Sequence, residues 1–314
     1  MNLDAVRDLF LDPKVDEIQI NTPNNIYVRY EGEDRLTTTV VDPGRFEAAC
    51  TLIASLNDKT IAPNITSSQE EMAKKILSAK LPGVRIEVTL PPVAVRGIAM
   101  MIRKHNPKRV TLEEYVTQGV MTMGQAQTIK KIAESGETFI ISGPTYSGKT
   151  TLLNTVIDAI PHSRRLFVIE QVSELLIDEE RNFVRMEVDP DHGVTPAAAL
   201  RTAMRFSPHN IISGELRGPE AITYLDAANT GHPGATTLHA NSHFDALGRL
   251  EDMCIQAGRN IPLEGIRAKI ARAINWVIHV QYMEGIGRRI TGICKVVGRT
   301  EDLKDYVYED YTNR

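Results

Sequence analysis

The sequence predicts an α/β protein in which a smaller mixed α/β domain precedes a larger domain with a parallel-type sheet. The length of 314 residues is enough for two hydrophobic cores. From Thr138 onward, short β-branched segments alternate with helical patterns, which is typical of a parallel sheet covered on both faces. Between the first of these strands and its helix, residues 143–150 (GPTYSGKT) fit the phosphate-binding pattern G-x-x-x-x-G-K-[ST].

Residues 1–107 carry the signals of the smaller domain. Alternating or extended apolar patterns predict strands at 15–20, 25–30, 84–90 and 97–103. Apolar spacing predicts helices at 45–56 and 67–77. The polar, proline-containing segment 105–109 (HNPKR) is predicted to be the linker, so the second domain is placed at 108–314.

The larger domain is predicted from segments of both kinds. Thr111–Glu114 (TLEE) resembles a capping box that opens a helix. Further helical patterns occupy 122–134, 151–159, 196–205 and 219–229. Buried strands are predicted at 138–142, 166–170 and 210–213, and a hairpin at 276–297. We expect the acidic tail 301–314 to be a peripheral strand or a disordered end.

The composition limits the classes of function. A net charge of −4 and a sequence pI of about 6.1 argue against a protein that coats nucleic acid. The 3 cysteines form no C-x-x-C pair, which disfavours a zinc site or a disulfide framework and favours a reducing cytoplasm. The chain opens without the pattern of a secretory signal peptide, and no apolar run has the length of a bilayer span. We therefore expect membrane association only through a partner or an interfacial face.

The pattern at 143–150 indicates a polyphosphate site because it lies between a predicted strand and a predicted helix. Loop N–H groups and the start of a helix offer partial positive charge to phosphates. Lys149 would reach the terminal phosphates, and the Thr150 hydroxyl would hold Mg²⁺. The candidate nucleotide-binding residues are Gly143, Pro144, Thr145, Tyr146, Ser147, Gly148, Lys149, Thr150 and Thr151.

Such a site also needs an acid near the metal and a group that activates water. Glu170 ends the strand 166–170, and Glu215 follows the strand 210–213. With Thr150 they form the candidate metal set, although a solvated strand end or a surface ion pair would explain either acid. The segment 230–241 adds His232 and His239. These histidines could bind a metal or play a structural role, but their density favours a hydrogen-bonding sensor of a γ-phosphate.

Four motifs occur in the order found in the traffic ATPases of secretion, conjugation and type IV pili, which this chain resembles. They are the phosphate loop and the segments 170–174 (EQVSE), 213–217 (SGELR) and 230–242 (TGHPGATTLHANS). Residues 15–28 resemble the opening strands of that family. The segments 85–92, 102–104 and 111–122 are most similar to the conjugation branch, the TrbB-like proteins.

The resemblance implies a RecA-like P-loop NTPase domain that uses ATP and Mg²⁺. It implies that Lys149 binds the β- and γ-phosphates and that Glu215 is the general base that positions water. Glu170 would support the metal through waters, and His239 with His232 would report on the γ-phosphate. The catalytic candidates are Lys149, Glu215, Glu170, His239, His232, Arg85 and Arg103, the last two matching phosphate-reaching arginines of the N-terminal domain.

The same resemblance implies a homohexameric motor that energises type IV secretion or conjugative DNA transfer. Nucleotide would lie between the two domains of a subunit, which would move about a hinge near 106–110. The partners would be inner-membrane components of the machine, with the ring in the cytoplasm and peripheral to that membrane. No direct, stable binding of nucleic acid is expected.

Three residues depart from the family pattern. Tyr146 stands where relatives usually have glycine, and Gln171 and His209 stand where they usually have aspartate. Because none of these positions is Lys149 or Glu215, we predict an active ATPase, slowed if Tyr146 crowds the phosphates. The alternatives are a pilus-retraction or type II secretion ATPase, a RecA-like nucleic-acid motor such as a helicase, and a nucleotide-gated scaffold whose turnover is dispensable.

Overall fold

The computed structural model describes residues 4–313 except 31, 62–71, 73, 82, 105–108, 191 and 192. The chain divides into two compact units, Met1–Asn106 and Pro107–Arg314. Most of the segment for which we predicted a helix at 67–77, and most of the predicted linker, lie outside the described residues.

The first unit is built on an antiparallel sheet. Its six strands lie in the order β3-β2-β1-β6-β5-β4. Their bounds are β1 Val15–Thr22, β2 Asn25–Tyr30, β3 Glu33–Leu36, β4 Ile76–Leu81, β5 Val84–Thr89 and β6 Ala99–Lys104. A 3₁₀ turn at Asp4–Val6 leads into the short helix α1 (Arg7–Leu11).

Helix α2 (Pro43–Ser55) shares the core of this unit with one face of the sheet. The Asp42 side chain accepts a hydrogen bond from the Arg45 N–H, which caps the helix where Pro43 begins it. Phe46 and Cys50 of α2 are buried together with Ile18 and Ile102 of the sheet. Because successive side chains of a strand point to opposite faces, the polar residues between these apolar ones share the other face.

The helix predicted at 67–77 is wrong at its end, because Ile76 and Leu77 belong to strand β4. Ile76 pairs with Thr89 and Leu81 with Val84 along the whole of β5. Leu77 and Ala79 are buried while Ile76 and Ser78 are exposed, a period of two that pairing with a partner strand imposes. The local apolar spacing was compatible with a helix, and the tertiary pairing overrides it.

The second unit contains a mixed sheet in the order β14-β13-β12-β7-β11-β10-β8-β9. The strands from β12 to β9 are parallel, and β13 and β14 add antiparallel pairs at one edge. The bounds are β7 Phe139–Ser142, β8 Leu166–Glu170, β9 Phe183–Glu187, β10 Asn210–Ser213, β11 Gly234–Leu238, β12 Trp276–Met283, β13 Gly287–Arg299 and β14 Tyr306–Asp310.

Helices cover this sheet. They are α3 Leu112–Thr117, α4 Met123–Ser135, α5 Lys149–Ala159, α6 Pro196–Ala203, α7 Ala221–Asn229, α8 Asp245–Gln256 and α9 Leu263–Ala273. Thr111 forms the predicted capping box with Glu114, and Thr122 forms a second one with Gln125. Among the described residues, no helix combines the length and the apolar composition needed to cross a bilayer.

The predicted α/β fold class is confirmed. Strand β7 lies centrally between β11 and β12, and its four residues are all buried, as are those of β10 and β11. The carboxyl ends of β7, β8, β10 and β11 lie at one edge of the sheet because these strands are parallel. This edge collects the loops that carry the phosphate pattern, both candidate acids and His239.

The hairpin predicted near the C-terminus is present as β12 and β13, whose pairing runs from Trp276–Lys295 to Met283–Gly287. The tail forms the edge strand β14 on β13, so the strand alternative is correct for 306–310. Strands β3, β4, β9 and β11 and helices α1, α8 and α9 lacked a sequence prediction. The helices lie in segments of mixed polarity, and β3, β4 and β9 are edge strands, whereas β11 is a central buried strand with the sequence GATTL.

Candidate nucleotide-binding site

The phosphate loop connects β7 to α5, as its pattern predicts. A Cβ added at Gly143 would overlap the Val280 carbonyl oxygen of the neighbouring strand, so only glycine fits there. Gly148 has φ +95° and Tyr146 has φ +63°, both in the left-handed region. The loop therefore wraps tightly around the N-terminus of α5, where backbone N–H groups and the helix dipole favour an anion.

Lys149 is held inside this loop. Its Nζ donates to the carbonyl oxygens of Gly143 at 3.0 Å and Pro144 at 2.8 Å. A third contact joins Nζ to Nδ1 of His239 at 3.2 Å. Two carbonyl oxygens and an imidazole nitrogen thus surround the ammonium as acceptors, and a bound polyphosphate would have to replace them.

His239 bridges Lys149 and Glu215 at the carboxyl edge of the sheet. Its Nε2 lies 2.9 Å from the Glu215 Oε1. Burial, followed by the positive charge of Lys149, lowers the pKa of His239, and the Glu215 carboxylate opposes this shift. The ring is therefore neutral near pH 7, with Nδ1 accepting from the Lys149 ammonium. The proton is then on Nε2, which is close to the Glu215 Oε1 but makes no well-directed hydrogen bond to it.

The Glu215 carboxylate is also held from its other side. Arg217 Nε lies 2.6 Å from the Glu215 Oε2, and Arg217 Nη1 donates to the Gln171 Oε1 at 3.1 Å. The substitution of Gln171 for aspartate leaves an acceptor for the arginine but removes its charge. Glu215 is placed beside the loop by backbone pairing, because the Leu216 N–H donates to Thr237 O at 2.9 Å.

Glu170 lies at the same edge but makes contacts of its own. Its Oε1 accepts from the N–H groups of Glu174 at 2.9 Å and Leu175 at 2.7 Å. Its Oε2 lies 3.6 Å from Arg185 Nε and is otherwise a buried oxygen without a hydrogen bond. Burial raises the pKa of Glu170 to about 7, against the two backbone hydrogen bonds and Arg185. The carboxylate orders the loop after β8, and none of its described contacts reaches the Lys149–His239–Glu215 network.

The structure separates the two candidate histidines. His239 follows the carboxyl end of β11, whereas His232 precedes its amino end. A five-residue strand separates its ends by roughly 13 Å at about 3.3 Å per residue. The two histidines therefore flank opposite ends of β11, and the role of His232 near a γ-phosphate stays a prediction. The His232 N–H donates to Ala227 O at the end of α7, which is a structural contact.

The other two departures from the family pattern also have a structural setting. Tyr146 is 48% exposed, so the loop does not enclose it. Nδ1 of His209 accepts from the Arg165 N–H at 3.0 Å. This contact lies at the amino ends of β8 and β10, away from the phosphate loop, and replaces the acceptor that an aspartate would provide.

One residue near the loop was missed by the sequence analysis. The Arg288 Cδ and Nε lie 3.1 Å from the position of a Cβ on Gly148. Within the described part of the chain, the Arg288 guanidinium has no ion pair or hydrogen bond. A free cation beside the start of α5 suits a phosphate. Only the pairing of β12 with β7 and of β13 with β12 brings Arg288 there, which local sequence patterns cannot reveal.

An open cleft of about 680 Å³ borders the loop at Pro144 and Thr145. Its far wall belongs to α8 and carries Asp245, Arg249 and Asp252. The carboxylates would repel a polyphosphate at that wall, so the loop amides are the better phosphate site.

Arg85 and Arg103 lie in the first unit. They are cross-strand partners on β5 and β6, on the face opposite α2. Arg85 Nη2 lies 3.2 Å from the Glu87 Oε1, and Arg103 Nε lies 3.6 Å from the Glu17 Oε1. The two arginines are thus neighbours, each beside an acid.

Comparisons with known proteins agree with the motifs. A family model described as Type II/IV secretion system protein matches residues 5–302. The conjugal transfer protein TrbB of Rhizobium radiobacter is 32% identical over 293 residues, which cover 91% of this chain and 85% of TrbB.

Solved structures support the fold. The VirB11 ATPase of the Brucella suis type IV secretion system, in complex with sulphate, aligns with a TM-score of 0.51 and 28% identity over 94% of this chain and 96% of its own. The pilus retraction motor PilT with bound ADP aligns with a TM-score of 0.65 over 95% of this chain and 83% of PilT, at 18% identity, a likeness of fold alone. The predicted resemblance is confirmed, and the chain belongs to the type II/IV secretion system protein family.

Proposed function

We propose that this protein is an ATP-hydrolysing motor of a type IV secretion or conjugative-transfer machine. The observation that carries the proposal is the linked set Lys149–His239–Glu215 at the start of α5, where three strand ends meet. Such a set couples a phosphate-binding cation to an acid through one neutral imidazole. Its family relatives, TrbB and VirB11, carry names from conjugal transfer and type IV secretion.

In this proposal the terminal phosphates displace Lys149 from the carbonyl oxygens of Gly143 and Pro144 and take their place as its partners. His239 then loses its Lys149 contact, and its Nδ1, an acceptor in this tautomer, needs a new donor such as a water bound to the phosphates. Glu215, released in part by the same movement, orients water for attack and accepts its proton. The network thereby makes Glu215 responsive to an occupied loop.

Mg²⁺ fits the oxygen donors at this edge. Magnesium beside a nucleotide takes most of its ligands from phosphates and waters and needs only one or two protein oxygens. The Thr150 hydroxyl at the second position of α5 would be the direct ligand, and Glu170, whose Oε2 is buried without a hydrogen bond, would act through water. Glu215 would complete this set on the side of the attacking water. The ion would neutralise phosphate charge that the loop amides only partly balance.

The remaining parts of the proposal rest on the family. We propose a homohexamer that works with inner-membrane components and is held at that membrane by them. Arg85 and Arg103 would contact nucleotide phosphate during turnover, since arginines in this role are worth about 10³–10⁵ in rate. Domain motion driven by ATP would be transmitted to the machine.

The test uses purified protein with Mg²⁺ and ATP. We expect steady phosphate release that is lost in Lys149→Ala, and a fall in kcat of about 10²–10⁴ in Glu215→Gln with ATP binding retained. Glu284→Gln, an exposed acid in the β12–β13 hairpin, is the matched control and should keep wild-type turnover. Equal activity of the Glu215 and Glu284 variants would remove Glu215 from the chemistry.

The assembly is tested on the same Glu215→Gln variant with Mg²⁺ and ATP, because it should bind without turning over. Light scattering should give a particle near six times the 34.9 kDa chain. A monomer that binds ATP under these conditions would contradict the ring.

A further inference from the structure

A row of charged side chains crosses the first unit on the face of the sheet opposite α2. Cross-strand pairing aligns one residue from each strand. From β3 to β4 the row consists of Asp34, Arg29, Glu17, Arg103, Arg85 and Lys80. Acids and bases alternate at one end, and three cations are neighbours at the other.

Glu17 occupies the middle of the row and is the most buried of its charges. Its side chain is 4% exposed, between Arg29 on one strand and Arg103 on the other. Its Oε2 lies 3.4 Å from Arg29 Nη1, and its Oε1 lies 3.6 Å from Arg103 Nε. A carboxylate withdrawn from water in this way strongly favours a nearby cation, because little solvent screens the pair.

The two arginines differ in how they are held. Arg29 is fixed by both oxygens of Asp34, at 2.9 Å each, in addition to Glu17, and its side chain is 20% exposed. Arg103 touches Glu17 through Nε, the base of its guanidinium, and its side chain is 48% exposed. In general, an arginine that one acid holds at Nε can bind an anion through its two terminal nitrogens.

We propose that Glu17 is a positioning residue that holds Arg103 for contact with nucleotide phosphate. Asp34 and Arg29 anchor Glu17, and Glu17 in turn fixes the guanidinium of Arg103 beside Arg85. The inference rests on the proposed function, since it assumes that Arg103 acts on phosphate. It adds a residue on the middle strand of the unit that acts only through that arginine.

The neighbouring pair provides a contrast on the same face. Glu87 lies 3.2 Å from Arg85, but the two side chains are 38% and 37% exposed. Exposed ion pairs such as this one within β5 contribute little, since water screens them and both side chains lose freedom. Glu87 therefore serves as the matched acid whose removal leaves its arginine able to act.

The experiment is a double-mutant cycle on ATP turnover by the full chain. Arg103→Ala should lower kcat/KM by about 10³-fold. Glu17→Gln should lower kcat/KM by about 10- to 100-fold, since a misplaced catalytic group costs up to that much. Glu87→Gln should stay within about twofold of wild type, as expected of an exposed pair. In the Arg103→Ala background, Glu17→Gln should add less than about twofold, because its partner is gone.

The possible results test the role of Glu17 and the role of Arg103 separately. Equal additional loss from Glu17→Gln with and without Arg103 would overturn the positioning role and leave the proposed function intact. The same holds if Glu17→Gln turns over like Glu87→Gln. Wild-type turnover in Arg103→Ala would remove the role of Arg103 in the proposed function, and the role of Glu17 with it.

A structural effect of Glu17 is separated by a second variant. Glu17→Asp keeps the charge but withdraws the carboxylate by one methylene. We expect it to fold like wild type, by circular dichroism, and to recover part of the turnover lost in Glu17→Gln. If Glu17→Gln does not fold, the cycle is run with Glu17→Asp, and a loss that persists unchanged in the Arg103→Ala background overturns the proposal.

Discussion

The Nζ of Lys149 lies 3.2 Å from Nδ1 of His239, although the two residues are 90 positions apart in the chain. The contact gives the loop lysine a partner that is not a phosphate. It also sets the tautomer of His239, because an acceptor at Nδ1 requires the proton on Nε2, which faces Glu215. The loop and the acid are thus linked through one side chain.

His239→Ala should separate nucleotide binding from turnover. Removing the ring frees Lys149 from one competitor, so the Kd for ADP should stay equal or become slightly tighter. Turnover should fall by about 10²-fold, because Glu215 loses the ring that lies 2.9 Å from its Oε1 and helps to position it. Fluorescent-ADP titration and phosphate release measure the two effects. His162→Ala, on the surface after α5, is the control. An equal change in both variants would show that His239 has no specific role in turnover.

Arg288→Ala should weaken nucleotide binding by about tenfold, because a charge-assisted hydrogen bond contributes about 1.5–3 kcal/mol. The reason is its position 3.1 Å from a Cβ placed on Gly148, at the start of α5. The difference in nucleotide affinity between wild type and Arg288→Ala should become smaller as the salt concentration rises, since the Arg288 side chain is exposed. Arg272→Ala on the outer surface of α9 is the control. An unchanged Kd for ADP in Arg288→Ala would mean that the guanidinium stays in solvent.

Local patterns predicted those parts of the fold and site that local chemistry determines. The phosphate loop was predictable because its glycines and its flanking strand and helix are contiguous. Strands β7, β8 and β10 were predictable because they are buried on both faces and therefore uniformly apolar.

Contacts between distant segments were not predictable in the same way. The Arg288–Gly148 approach depends on two strand pairings, and the different ends of β11 occupied by His232 and His239 depend on where that strand begins and ends. Strand β4 is a further example. The spacing of Ile76 and Leu77 is compatible with a helix, and only the pairing with β5 makes this segment a strand. Motif density alone could not decide which histidine faces the loop.

Gly234→Ala should destabilise the second unit by about 3 kcal/mol, as overpacking of a filled core does. A Cβ at this position would overlap the Ile211 carbonyl oxygen on the adjacent strand. Gly248→Ala in helix α8 is the control, because nothing lies within 4 Å of its added Cβ. That change should stabilise by about 1 kcal/mol through helix propensity. The free energy of unfolding of this unit is measured by denaturation, followed by the fluorescence of Trp276, the single tryptophan of the chain. Shifts of the same sign in both variants would contradict the packing argument.

His279 should make the stability of the second unit depend on pH. This buried ring on β12 lies with Nδ1 2.8 Å from the Ser142 Oγ, next to the phosphate loop. Burial, then the charges of His243 and Lys149, lowers its pKa to about 4, against the opposing effect of Asp245. The unfolded chain takes up a proton near the ordinary value of 6.5, so between about pH 4 and 6.5 the unfolded state binds more protons and stability rises with pH.

The contribution of His279 across this window is at most about 3 kcal/mol, at about 1.4 kcal/mol per pH unit. His279→Asn, which cannot titrate but places a polar atom near the position of Nδ1, should show a correspondingly smaller rise from pH 4 to 6.5. The readout is the difference between the two pH values, so a uniform loss of stability from the substitution does not affect it. His243, whose pKa is also lowered by burial, should leave part of the slope in place. His162→Asn should keep the full wild-type rise. If His279→Asn also keeps the full rise in stability, the His279 ring is protonated in the folded protein. Ser142 Oγ must then accept a hydrogen bond from the ring rather than donate one to it.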